Sequence, residues 1–399
     1  MNQGQISERR RLDVSTTGEL GRANAATVLS CVLTEGPLAR AEIAERVGLT
    51  RATVTRVSNR LLELGLLSEE PPRRDAPGRP MVPLAFHGGN RVTLAVHLGA
   101  LESRVGVVDL RGRVLAESRD TYSGTDPAAI LGVVAGRVRD AIVQESGRSR
   151  ILGVGVSLGG WVDADAGEVV RFDPLGWEGV PLAAELRERT GLFVRADQMV
   201  RGLALAEKSF GAARDTSDFL ELWTGNIVGA AVVLNGDVRQ APGGASGILT
   251  HFPVRGGWGR RCECGRLGCL AANLTDSAVV AEAVRRGLLA PGADFRALMR
   301  AATAGDRGVQ AFTGELAHMA GEAAAAMADL INPRALVVAG LITTAPGYLD
   351  DFRAALWART ELGTGMEVRA SAFGDLAPTI ASASVVLDRY LQDPLAHER

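Results

Sequence analysis

Cysteine is scarce in this chain, with four in 399 residues. A disulfide scaffold spreads an even set of cysteines over a short secreted domain, so this length and this count exclude one. Lysine is scarcer still. Lys208 is the only one, so the cationic charge is almost all arginine; with the abundant alanine and glycine, that reflects a GC-rich genome and says nothing of function. Charge of one sign is also missing, because the formal net charge of -2 gives no chain-wide basic excess of the kind that would by itself indicate nucleic acid. No run of about 18 apolar residues is present, and the opening "MNQGQISERRRLDVSTTGELG" has no apolar core of signal-peptide length. A cytoplasmic protein without a membrane partner is expected. What remains, 46% hydrophobic and 23% charged, suits an ordinary soluble chain with two or three domains, each able to bury a core.

Three of the four cysteines crowd into "CECGRLGC", residues 262–269. Cys262, Cys264 and Cys269 make a C-x-C-x4-C set, and "SGILTHFPV" offers His251 eleven residues before the first. Three thiolates and an imidazole complete a closed tetrahedral zinc set, with Zn–S near ~2.3 Å and Zn–N near ~2.0 Å. With no open position the zinc is expected to be structural. Gly265 and Gly268 let the backbone curl around it, and Cys31, on an apolar helix face, is core filler.

Residues 1–20 read as a flexible polar leader and 21–88 as a winged helix-turn-helix. In "RANAATVLSCVLTEG", Ala25, Val28, Leu29 and Val32 share a face; "ARAEIAERVG" turns Ile43, Ala44 and Val47 inward and stops at Gly48. A third helix, with Thr50 as N-cap, buries Val54, Val57, Leu61 and Leu64. The second helix of such a motif enters the major groove, which makes Thr50, Arg51, Thr53, Thr55, Arg56 and Arg60 the candidate DNA-reading residues. Two extended runs in "LLSEEPPRRDAPGRPMVPLAF" then flank a wing around residues 73–80, whose Arg79 can enter a narrow minor groove.

From Arg91 the pattern turns to α/β. "RVTLAVHLGALESRVGVVDLRGRVLAES" reads as successive strands with a turn at Arg111-Gly112, and residues 127–146 form an amphipathic helix. "DFLELWTGNIVGAAVVLNGDV" resumes strand pairs, and a helix, a strand and two helices finish the chain. Two α/β lobes are expected within 89–399, divided near residues 197–208.

The winged helix with "GRP", the stretch "GVGVSLGGWVDADAGEVVRFDPLGWEGVPL", the segment "ADQMVRGLALAEKSFGAA" and "GGASGILTHFPV" followed by "CECGRLGCL" together resemble the ROK family, in its transcription-factor branch. The resemblance runs from about Arg22 to Asp393. It implies a two-lobed actin/hexokinase-like fold whose cleft holds a sugar. Asp197 stands at the place of the kinases' proton-accepting aspartate, Gly160 at a glycine of the sugar-binding turn, and His251 at a histidine that ligates zinc and lies against the sugar.

The departures imply a lost kinase. The Asp-x-Gly-Gly-Thr phosphate loop is replaced by "HLGAL", His97 to Leu101, the second phosphate loop reads "TGNIVGA", and a later Gly-Gly becomes "AGLIT". Ala196, Ile248 and Ala271 replace an asparagine and two glutamates of the sugar pocket. The expectation is a repressor, a homodimer or homotetramer on an operator in double-stranded DNA, whose zinc-containing domain senses a carbohydrate effector and mediates oligomerisation. A ligand-free dimerisation and docking scaffold is the alternative, and an active ATP-dependent sugar kinase the third reading.

Overall fold

The computed structural model describes residues 17–73, 81–254 and 257–396. Two compact units emerge: one runs to Gly89 and takes in the chain from Arg389 onward, and the other spans Asn90–Asp388. The chain's end, assigned from sequence to the second domain, therefore groups with the first. Within that first unit Arg22 pairs with Asp393 at 3.3 Å.

In the first unit α1 (Thr17–Glu35) precedes β1 (Leu38–Ala39), α2 (Arg40–Val47), α3 (Arg51–Glu63), β2 (Leu67–Glu69) and β3 (Pro83–Phe86). The helix starts five residues before Arg22, taking up the last part of the expected leader; Glu19 in its first turn suits the positive end of the helix dipole. Ala25, Val28, Leu29, Ile43, Val54 and Leu61 are all buried, as the periodicity requires, while Val47 and Leu64 are half-buried. Gly48 closes α2 at φ 68°, and Thr50 caps α3 by accepting from the Thr53 amide at 3.2 Å. The wing strands β2 and β3 pair antiparallel, and β1 adds to the other edge of β3. Residues 74–80, including Arg79, lie outside the described residues.

The second unit contains two five-stranded sheets. The first lobe comprises β4 (Arg91–Leu98), β5 (Glu102–Asp109), β6 (Val114–Thr121), α4 (Pro127–Glu145), β7 (Arg150–Leu158), β8 (Trp161–Asp163), β9 (Glu168–Phe172), β10 (Trp177–Val180), α5 (Leu182–Thr190) and β11 (Val194–Gln198). After α6 (Met199–Phe210), the second has β12 (Phe219–Thr224), β13 (Val228–Leu234), β14 (Asp237–Val238), α7 (Ala271–Leu274), α8 (Asp276–Arg285), α9 (Phe295–Thr303), α10 (Arg307–Ile331), β15 (Ala335–Ala339), α11 (Tyr348–Trp357) and β16 (Glu367–Ala370); α12 (Ala377–Gln392) follows. The sheets run β11-β7-β4-β5-β6 and β14-β13-β12-β15-β16. In both, the first strand pairs antiparallel with the second and parallel with the fourth, so each lobe repeats one plan. The small β10-β9-β8 sheet was not expected from the sequence; its strands are three to five residues long and interrupted by Asp, Gly and Pro.

Alternate residues of β4 pack under α4 and α5 with Trp177, building the first core. In the second lobe α6 and the start of α12 cover one sheet face, and α7 to α11 line the other. Glycines bring α12 very close. A Cβ on Gly155 would stand 2.0 Å from the Ser382 carbonyl oxygen, and one on Gly202 of α6 would stand 2.5 Å from that of Ala381. Among the described residues no helix is long and apolar enough to cross a membrane.

Candidate metal centre, cleft and DNA-reading helix

The thiols come together in a knuckle. Arg261 bridges Leu267, the Cys262 amide donates to the Arg266 carbonyl at 2.8 Å, and Gly265 and Gly268 take φ of 82° and 77°, as the curl demands. Pro253 bridges Cys269, which carries His251 alongside. The ligand atoms of His251, Cys262, Cys264 and Cys269 all lie within 4.8 Å of one another, with Cys262 Sγ 3.5 Å from His251 Nδ1 and Cys264 Sγ 3.6 Å from Cys269 Sγ. Buried Asn273 fixes the base, donating to the Cys269 carbonyl at 2.8 Å and accepting from the Trp258 amide at 2.9 Å.

The electrostatics suit a cation. Burial and the adjoining sulfurs push the Cys269 thiol up to about 11. Contacts from the Arg266 backbone and side chain bring Cys264 down to about 7. Three sulfurs this close cannot ionise together without a positive charge among them, and three thiolates with one imidazole nitrogen make a borderline-soft donor set, tetrahedral in reach. The four residues therefore form a cluster able to hold a metal ion, and zinc fits its chemistry.

The cleft residues are placed less simply. Gly160 packs against β9, where a Cβ would stand 2.5 Å from the Arg171 carbonyl oxygen, so close backbone approach accounts for the glycine. Asp197, at the end of β11, is 2% exposed, and its Oδ1 accepts from the Gln198 amide at 2.6 Å and from Arg201 Nε at 2.7 Å. Arg201 is itself 1% exposed. The sequence reading passed over this arginine, although an acid and a base four residues apart at a helix start are a recognisable pairing. Nearby Gln198 is also buried, and its Oε1 has no hydrogen-bond partner among the described residues. Of the replaced pocket positions, Ala196 is buried, Ile248 exposed and Ala271 half-buried.

His97, Gly340 and Asp276 lie in or beside the three stretches that the resemblance sets against the kinases' phosphate loops. His97 ends β4 with Nδ1 3.1 Å from Ser157 Oγ, and burial drives its pKa down to about 3, which leaves the ring neutral. Gly340 is so near Thr224 that a Cβ would stand 1.9 Å from the Thr224 carbonyl oxygen. Asp276, whose amide donates to the Gly225 carbonyl at 2.9 Å, has its carboxyl pushed up to about 7 by burial.

On α3, Arg51, Thr55, Arg56 and Arg60 are exposed along one side and Thr53 is half-buried. The Thr50 and Thr53 hydroxyls lie 3.0 Å apart in the cap, Thr55 donates to the Arg51 carbonyl at 2.8 Å, and Arg60 pairs with Glu63 at 2.9 Å. No ion pair among the described residues engages Arg51 or Arg56, whose guanidinium groups are exposed.

The ROK family model matches residues 93–389, close to three quarters of the chain. The chain belongs to the ROK family. Ahead of its ROK domain, residues 23–76 match the MarR family. Among relatives, "Transcriptional regulator Rv0485" of Mycobacterium tuberculosis (strain ATCC 25618 / H37Rv) is 32% identical, across 94% of this chain and 87% of that protein. The "N-acetylglucosamine repressor" of Escherichia coli O6:H1 is 28% identical over 82% of each. In fold, the ROK chain resembles a solved ROK family transcriptional regulator, a homologue of the E. coli MLC protein, with a TM-score of 0.77 at 23% identity, covering 94% of this chain and 98% of that one.

Proposed function

We propose that this ROK protein is a DNA-binding transcriptional repressor whose zinc-containing domain senses a carbohydrate-type effector and mediates oligomerisation. The observation that carries the reading is the joining of two parts in one chain: a capped α3 with a basic exposed side, and a ROK domain related to proteins named as regulators. Arg51, Arg56 and Arg60 supply phosphate and guanine contacts, Thr50, Thr53 and Thr55 line the base-reading end, and Arg79 reaches from the wing. His251, Cys262, Cys264 and Cys269 hold a structural zinc, and the effector lies in the cleft beside Gly160, Asp197 and His251. Paired winged helices of a dimer or tetramer match half-sites about one DNA turn or a multiple apart, so an effector acts by changing their spacing. The chain has no kinase activity in this reading, because "HLGAL", "TGNIVGA" and "AGLIT" stand where the kinases' phosphate loops would be.

Selection of sites from random duplex DNA by the zinc-loaded protein tests this. An enriched two-half-site sequence is expected, bound with a steep salt dependence that becomes shallower by about one unit for each phosphate-contacting arginine removed, as in Arg56→Ala. No enrichment, with a salt slope unchanged in Arg51→Ala/Arg56→Ala, would sink it. One observation favours the scaffold alternative: Asp197 is already engaged by Arg201. A carbohydrate panel that leaves both operator affinity and thermal midpoint unmoved would decide for that reading.

A further inference from the structure

Arg201 connects both walls of the cleft. Its Nε and Nη2 lie 2.7 Å and 2.5 Å from Asp197 Oδ1, and Nη2 also donates to the Val162 carbonyl at 3.1 Å; Asp197 and Val162 belong to the first lobe. Its Nη1 donates to the Gly244 carbonyl at 2.8 Å and lies 3.3 Å from Ser246 Oγ, both in the loop after β14 of the second lobe. The walls meet directly around it. Trp161 Nε1 donates to the Gly243 carbonyl, a Cβ on Gly244 would stand 1.9 Å from the Val162 carbonyl oxygen, and Gly159 lies against Ile227.

A buried guanidinium is a planar array of donors, and here each group it meets accepts: a carboxylate, three carbonyls and a hydroxyl whose own proton goes to the Arg239 carbonyl. We propose that Arg201 is an internal latch, which occupies the cleft and holds the two lobes closed with no effector bound. The inference rests on the effector-sensing reading and gives it a direction: a ligand opens the seam. Any molecule that takes the latch's place must bring donors, as a polyhydroxylated ligand does. Its apparent affinity is lowered by the fraction of time the latch is closed.

The test is the inter-lobe distance in the full-length, zinc-loaded protein, measured between spin labels at the exposed positions Val143 on α4 and Leu330 on α10. The ligand-free protein should give one narrow distribution. Arg201→Ala should give a longer, broader one, restored by added methylguanidinium and not by sodium at equal ionic strength. Asp197→Leu/Arg201→Met, which leaves no buried charge unpaired, should also open the seam, so an unfolding Arg201→Ala does not remove the test. In that variant hydrogen exchange around residues 243–247 should rise about tenfold or more. A narrow, unshifted distance in either folded variant would overturn the latch, as would a folded Arg201→Ala that opens but ignores methylguanidinium. None of these readouts uses DNA, so failure of the repressor reading registers separately.

Discussion

The knuckle and the cleft meet one physical demand with different cations. Both gather groups that are costly to ionise away from water. At Cys262, Cys264 and Cys269 the positive charge would come from a metal ion held by the cluster, whereas at Asp197 it is built into the chain as Arg201. A cation from outside can be withdrawn, but one on a helix can only swing away. The second lobe holds a third case, with no cation against it among the described residues. Glu221, in the middle of β12, is fully buried with both oxygens unpartnered among the described residues, and burial, reinforced by Glu207, raises its pKa well above the usual carboxylate range. There burial favours the protonated form.

Withdrawing the outside cation should have the largest effect. Structural zinc contributes on the order of 10 kcal/mol in small modules at neutral pH. Chelation should therefore lower the thermal midpoint sharply and expose the amides around Cys262–Cys269, with Cys262→Ser doing the same. A metal content near zero in freshly purified, fully stable protein would break this half of the comparison.

Removing the built-in cation comes next. Arg201→Ala leaves a buried carboxylate unpaired and should cost about 3–5 kcal/mol, while Asp197→Leu/Arg201→Met should be near neutral. Denaturant titration separates the two. Equal losses in both would mean that packing, not charge, holds the seam.

The proton-neutralised site predicts a pH dependence of definite sign. Because its folded-state pKa is raised, the Glu221 penalty is absent below the unfolded value of about 4.3 and grows as pH climbs toward the folded value, so the wild type loses stability with rising pH. Glu221→Met should flatten that slope and recover on the order of 1–3 kcal/mol, the cost of a buried unpartnered polar group. An unchanged slope in thermal melts from pH 5 to pH 9 would show that the carboxyl finds a partner. The smallest effect should come where no charge is buried: Thr50→Ala loses one cap bond, about 1 kcal/mol, and leaves metal content alone.

The knuckle was legible in the sequence because its ligands lie close along the chain, and a C-x-C-x4-C spacing with an upstream histidine has few other uses. The winged helix was legible for a similar reason, since Thr50, Gly48 and the stripe of Val54, Val57 and Leu61 are local signals. The cleft was less so. Asp197 and Arg201 could be noticed as a spaced pair, but Val162 and Gly244, which give the arginine its role, reach it from distant elements. The repeated sheet plan was hidden too, because two lobes can share strand order without sharing side chains.

The glycines beneath α12 give this helix a mechanical character. Gly155 in the first lobe and Gly202 on α6 admit its backbone so closely that Ser382 and Ala381 sit as teeth in a keyway. Sliding along the helix would have to lift those teeth over neighbouring side chains, whereas tilting leaves them seated. Contacts this close resist sliding, so any relative motion of the lobes would be a tilt about α12, and a methyl group at either glycine would push the helix out of its seat.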